Sequence, residues 1–287
     1  IMSFIYSLQD VKISLERINE IHGRRNEEDD GELLTRYADD KNRSITLNGI
    51  DFRYDLHALK NTLDNITFTV PQGQVTAIVG ASGSGKTTMI KLMLGYYRVN
   101  CGSIDIAGAD INRYSMTWWR RRCGVVMQEG VIFSESIARN IAVSDGDIDE
   151  ARLEEAARTA CIHDYIMSLP LRYNTKIGRD GVGLSQGQKQ RILIARAVYR
   201  NPDYIFLDEA TNSLDARNER EIVSNLSRFY RGRTVVVVAH RLSTVRDADN
   251  IIVLDAGRIV ESGNHDSLIA ARGHYYNLVK NQLELGN

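Results

Sequence analysis

Cysteine is scarce in this chain: Cys101, Cys123 and Cys161 are all that its 287 residues hold. They show no CxxC or metal-ligand spacing, and their odd number argues against a disulfide framework. Reduced thiols in a cytosolic protein are the expectation. Long apolar runs are missing too. None approaches the ~18–20 residues that a membrane-spanning helix needs, and the longest, Val235 to Ala239, reads as a buried strand. The N-terminus lacks the basic stretch and apolar core of a secretory signal. Net charge is nearly absent, at −1, so the balance points to neither a nucleic-acid nor an anionic-membrane binder. Internal repeats and low-complexity tracts are lacking as well.

What is present is ordinary globular composition, with 43% hydrophobic residues, enough for a sizeable core. The length suits one α/β domain with an added lobe. Phe4, Leu8, Val11, Leu15 and Ile18 recur at helical spacing, predicting a helix over 4–21 that stops at His22-Gly23. An ordinary amphipathic surface helix has the same pattern. An acidic tract, Arg24 to Glu32, reads as linker. From Ile45 short strands take over: Ile45 to Tyr54, Ile66 to Val70, and Val75 to Val79, with a turn at Pro71-Gln72-Gly73. A helix from Thr87 to Leu94 and a hairpin over 101–111, with Gly102 and Gly108 at its turns, follow. Residues 134–200 read as a helical insertion. Strands resume at Tyr204 to Leu207, Thr234 to Val238, Ile251 to Leu254 and Arg258 to Glu261, alternating with helices, which predicts a largely parallel sheet covered on both faces.

The segment Gly80-Ala81-Ser82-Gly83-Ser84-Gly85-Lys86-Thr87 matches GxxxxGK[ST] between a strand and a helix. Glycines at 80, 83 and 85 let backbone N–H groups turn inward onto phosphates, and the helix N-terminus adds its positive dipole end. Lys86 supplies a charge to the phosphate oxygens, and the Thr87 hydroxyl is the expected magnesium ligand. A chance glycine-rich turn would not bring strand, loop and helix together in this order.

A magnesium triphosphate also needs an acid beside that loop. Asp208 closes the apolar strand Tyr204-Ile205-Phe206-Leu207 and suits that role through a bound water. Glu209, next along, is the expected general base that orients and deprotonates the attacking water. Acidic residues at a strand end also cap following helices, but that reading loses ground once the phosphate loop is considered.

Upstream of the acids lies Leu184-Ser185-Gln186-Gly187-Gln188, a short polar turn at the head of a helix. Ser185 alone would be a common N-cap. Phosphate loop, turn and carboxylate pair together resemble the ATPase domain of ABC transporters, whose turn usually reads LSGGQ. Gln186 departs from that pattern, while Gly187 is kept. The resemblance implies a P-loop α/β fold: a mostly parallel core sheet, an antiparallel β subdomain and a helical insertion. It implies ATP with Mg2+ as cofactors and a head-to-tail homodimer of ATPase domains. Ser185, Gly187 and Gln188 would then act in trans on the partner's nucleotide, as would Asp215 in Ser213-Leu214-Asp215-Ala216. It further implies that Tyr54, on a strand, stacks on adenine; a strand tyrosine packed in the core is the plainer alternative. Thr88 joins the ATP-binding loop, Gln128 senses magnesium and links to the membrane part, and His240 contacts the γ-phosphate. His22, His57, His163, His265 and His274 keep ordinary roles. In Gly178-Arg179-Asp180-Gly181, Arg179 stands where related exporters often carry glutamate, so the local charge has the opposite sign.

Ser7 to Ile21 and the acidic tract after it are similar to the end of the last membrane helix in exporters that fuse membrane and ATPase domains, bacterial peptide and bacteriocin exporters above all. That resemblance divides the chain into a helical stub (1–23), a linker (24–44) and an ATPase domain (45–285), with the helical subdomain at about 134–200. The stub would continue a longer polypeptide carrying the membrane domains, at the cytoplasmic face of the inner membrane, with this piece itself soluble. The implied function is a motor exporting a peptide, bacteriocin, or lipid- or drug-like substrate, with no nucleic-acid partner. A soluble ABC ATPase serving ribosomes or DNA repair usually has two cassettes or a long coiled-coil insert, and this chain has neither. A P-loop kinase would not need Ser185, Asp215 and His240 in this order.

Overall fold

The computed structural model describes residues 2–23, 27, 32–144, 146–179, 181–210, 216–239 and 245–285. Helix α1 (Met2–His22) comes first. Its residues Leu8, Val11, Leu15 and Ile18 stay about half exposed, so no described residue covers the predicted apolar face. No helix among the described residues is long and apolar enough to cross a membrane. Residues 33–44 are packed down: Leu34 bridges to Tyr114, and buried Tyr37 donates its hydroxyl to Asp203 at 2.8 Å.

Strands β1 (Ile45–Phe52) and β2 (Leu63–Val70) open an antiparallel sheet. Strand β3 (Val75–Gly80) leaves it for the main sheet, and helix α2 (Lys86–Met93) follows. Strands β4 (Cys101–Ile106) and β5 (Ala109–Asp110) complete the antiparallel sheet in the order β2-β1-β4-β5. Helix α3 (Met116–Arg121) leads into β6 (Cys123–Val126). Then come α4 (Ile137–Ala142), α5 (Glu150–Thr159), α6 (His163–Ser168) and α7 (Gln186–Tyr199). The chain ends with β7 (Tyr204–Asp208), α8 (Ala216–Tyr230), β8 (Thr234–Val238), β9 (Asn250–Asp255), β10 (Arg258–Gly263), α9 (His265–Ala271) and α10 (His274–Leu285). The main sheet runs β10-β9-β3-β8-β7-β6, parallel throughout except for the β9–β10 pair.

Alternate residues of the central strands enter two different cores. Ile78, Tyr204, Phe206, Val236 and Val238 join α2 and the antiparallel sheet; Ala77, Val79, Ile205, Leu207, Val235 and Val237 join the helical layer of α4, α5 and α7. Strands buried on both faces must be apolar without alternation, which is why β7 and β8 read as continuous runs. The same parity decides the chemistry. Asp208 follows Tyr204 and Phe206 onto the face that packs against α2, the helix behind the phosphate loop.

One turn expectation is corrected. Gly108 does sit between β4 and β5, but Gly102 lies inside β4, at a bulge where β1 slips register between Asn48 and Asp51. Its φ is 84°, and a Cβ there would meet the Asn48 and Gly49 carbonyl oxygens at 2.4 Å. A β-bulge uses glycine in the same way as a turn does, so the two look alike in sequence. Gly102→Ala is expected to cost at least ~1–2 kcal/mol, read as a lower denaturant midpoint at unchanged slope.

Candidate functional site

The phosphate loop spans the end of β3 and the start of α2. Its glycines take the conformations the motif requires: φ is 154° at Gly80, 79° at Gly83 and 103° at Gly85. A Cβ on Gly80 would strike the Leu254 carbonyl oxygen at 2.1 Å, and one on Gly85 would strike Leu63 at 2.5 Å. The loop is therefore clamped between β9 and β2. Ala81, Ser82 and Gly83 form an exposed rim, while Ser84, Gly85 and Lys86 are buried beneath it. Among the described residues no side chain caps the N-terminus of α2, so its first-turn N–H groups remain available as donors at the positive end of the helix.

Lys86 is only 6% exposed. Its Nζ donates to the carbonyl oxygens of Gly80 at 2.9 Å and Ala81 at 2.8 Å, curling back over the loop. Burial lowers its pKa, and the Glu209 and Asp208 carboxylates pull it back up. Asp208 is fully buried. Burial pushes its carboxyl above the usual range; the Thr87 hydroxyl draws it down, Glu209 pushes it up, and Lys86 and Lys91 draw it down. Thr87 lies outside hydrogen-bond geometry, however, and neither Asp208 oxygen has a hydrogen-bond partner among the described residues. Glu209 is half-buried, its N–H donates to the Val238 carbonyl at 3.0 Å, and its φ is 52°. A glutamate in the left-handed region is strained by about 1 kcal/mol or more. That turn swings the backbone out of β7 at the strand's mouth.

Tyr54 is corrected in place, though not in neighbourhood. It lies two residues beyond the end of β1, at a bend, and is 51% exposed. Its hydroxyl shares a 3.1 Å hydrogen bond with the Thr88 hydroxyl on α2. The core-packed alternative therefore does not hold, and the ring stands beside the phosphate loop. Gln128 is exposed, two residues past β6, the neighbour of β7.

The turn at Ser185 is a capping box. Ser185 Oγ accepts from the Gln188 N–H at 3.2 Å, and Gln188 Oε1 accepts from the Ser185 N–H at 2.8 Å. The ordinary N-cap is thus realised, with Gly187 in the first turn of α7. Among the described residues, none of the hydrogen bonds of Ser185 or Gln188 reaches the phosphate loop of the same chain. Asp215, His240 and Asp180 lie outside the described residues; β8 nevertheless ends at Val238, paired with Asp208, two positions short of His240. Exposed Arg179 donates its N–H to Ser134 Oγ at 3.2 Å.

Sequence reasoning passed over Asn140 and Arg196. Buried Asn140 accepts from the Phe133 N–H at 2.8 Å and donates to the Phe133 carbonyl at 3.0 Å. Arg196 on α7 donates to the carbonyls of Asn140 at 2.8 Å and Val131 at 2.9 Å. Together they staple the segment after Gln128 to α7, the helix that Ser185 caps. The available signal was the polar pair Arg139-Asn140 inside the otherwise apolar Ile137 to Ala142.

A glycine-clamped anion loop, a buried lysine and a strand-end carboxylate at the head of a parallel sheet define a P-loop nucleoside triphosphatase. The ABC transporter family model matches residues 63–212, and the chain belongs to that family, as an ATPase domain that binds ATP. The ATP-dependent lipid A-core flippase of Saccharophagus degradans is 45% identical over 238 residues, which is 83% of this chain and 40% of the relative. The exotoxin translocation ATP-binding protein PaxB of Pasteurella aerogenes is 42% identical over 277 residues, 96% of this chain and 38% of that protein. The chain thus spans about two-fifths of the length of these curated relatives. A solved bacterial Atm1-family ABC exporter with ATP bound superposes with a TM-score of 0.82 at 37% identity, covering 89% of this chain and 44% of that one.

Proposed function

We propose that this chain is the ATP-hydrolysing motor of an ABC exporter, working as a head-to-tail pair of ATPase domains that sandwich two nucleotides. The observation that carries the reading is Asp208: a fully buried carboxylate, without a hydrogen-bond partner among the described residues, on the sheet face that meets the phosphate loop. Burying a charge there without a hydrogen bond is expensive; Lys86 and Lys91 offset only part of that cost, and a bound cation would offset more. The donor set fits magnesium. Among the described residues no cluster of His, Cys, Asp and Glu could cage a metal, but magnesium on a triphosphate needs only one or two protein ligands beside phosphate oxygens and water. Thr87, Gln128 and Asp208 would hold it, Asp208 through a water. When bound, it would neutralise charge developing on the phosphates.

The remaining roles fall to the chain's own groups. Loop N–H groups from Gly80 to Thr88 and the Lys86 ammonium bind the β- and γ-phosphates, and Tyr54 stacks on the base. Glu209 takes the proton of the attacking water, with His240 fixing the γ-phosphate. Ser185, Gly187, Gln188 and Asp215 serve the partner's nucleotide; capping uses Ser185 as an acceptor only, so its O–H can still donate to a phosphate oxygen. Membrane domains on the same polypeptide, preceding α1, would carry the substrate and place the motor at the cytoplasmic face of the inner membrane. The division at 23 and 44 belongs to this proposal. Relatives named for lipid A-core and for an exotoxin support export of a lipid-like or polypeptide substrate.

Asp208→Asn tests the reading. A carboxyl whose folded pKa is raised costs stability above that pKa, and the cost fades as pH falls through it. Without nucleotide, the variant is therefore expected to melt higher than the parent, with the gap widest at neutral pH. Its ATP binding, followed by titration with and without Mg2+, should lose most of its metal dependence. Metal dependence equal to the parent's would sink the assignment.

A further inference from the structure

The ring of Tyr54 does not stand alone. Its centroid lies 4.9 Å from Phe52 with the planes at 82°, and 5.1 Å from Tyr97 with the planes at 89°. Phe52 and Tyr97 close the triangle at 5.8 Å. Phe52 is a core residue at 3% exposure, whereas Tyr97 is 44% exposed and so does little for the core. Tyr97 belongs to the connection between α2 and β4, and that connection is stitched to the segment carrying Tyr54. The Asn100 N–H donates to the Asp51 carbonyl at 3.0 Å, and the Asn100 side-chain oxygen accepts from the Arg53 N–H at 2.7 Å. The Tyr54–Thr88 hydrogen bond fixes the far end of the ring to α2.

We propose that Tyr97 is a positioning residue for the nucleobase: together with Phe52 it holds the Tyr54 ring in one plane, near-perpendicular to both neighbours, so that this plane is presented to a stacking purine. The proposal rests on the reading of Tyr54 as the base platform. With its hydroxyl held by Thr88, the Tyr54 ring can still turn about its own long axis, and stacking requires one ring plane. Edge-to-face neighbours at 4.5–7 Å select that plane before the nucleotide arrives. Tyr97 would touch neither phosphate nor metal, so its contribution is confined to ligands that carry a base.

The experiment compares Tyr97→Leu, Tyr97→Phe and Tyr54→Ala in steady-state ATP hydrolysis, with inorganic tripolyphosphate as a competitor that lacks a base. Tyr97→Leu is expected to raise KM for ATP about three- to tenfold while kcat and the inhibition constant for tripolyphosphate stay within about twofold. Tyr97→Phe keeps the ring and should stay near the parent. An unchanged KM in Tyr97→Leu, beside a raised KM in Tyr54→Ala, overturns the role of Tyr97 and leaves Tyr54 as the platform. An equal loss for ATP and tripolyphosphate overturns it in favour of a general structural role. Should Tyr54→Ala itself leave KM unchanged, the platform reading fails and takes this proposal with it.

Discussion

Glu209→Gln is expected to keep ATP binding while turnover falls by ~10²–10⁴-fold, the usual worth of a positioned general base. The amide preserves size and polarity but cannot accept the proton of the attacking water. Its backbone should also keep the left-handed turn seen at φ 52°, since glutamine tolerates that region no worse than glutamate. If two chains share each nucleotide, blocking hydrolysis should trap the closed pair. Size-exclusion chromatography of E209Q with ATP and Mg2+ would then show a dimer, and the parent mainly a monomer. A monomeric E209Q that retains bound ATP would refute the sandwich, while unchanged turnover would refute the base.

Lys86→Ala should lower ATP hydrolysis by ~10³-fold or weaken nucleotide binding outright. Removing one preorganised donor to developing charge typically costs 10²–10³ in rate, and here a full charge is lost with it. Lys86 also holds the loop's shape through the Gly80 and Ala81 carbonyls. Its loss should therefore affect binding as well as turnover, unlike Glu209→Gln. Unchanged ATPase rates in the variant would show that the loop is not the catalytic site.

Much of the site was legible because its parts are local. Strand, glycine turn and helix sit in one contiguous stretch, and the positive φ values at Gly83 and Gly85 explain why glycine appears there. The errors came where local sequence underdetermines geometry. A glycine at φ > 0 serves a bulge as well as a turn, which misplaced Gly102. An aromatic beside a strand pattern was read as part of the strand, which placed Tyr54 one element too early. Asn140 and Tyr97 act through partners distant in sequence, and no spacing rule points to them.

The amino-acid sequence by itself determined the family, the order of elements and the identity of the phosphate loop, because each depends on contiguous residues and backbone preferences. Only the tertiary structure decided what surrounds them. Strand parity turns Asp208 toward α2, burial leaves its carboxylate without a hydrogen-bond partner among the described residues, and the Phe52–Tyr54–Tyr97 triangle assembles from the end of β1, the bend after it and the distant α2–β4 connection. Desolvation and ring geometry arise from neighbours brought together by folding, so they cannot be read from any one stretch of chain.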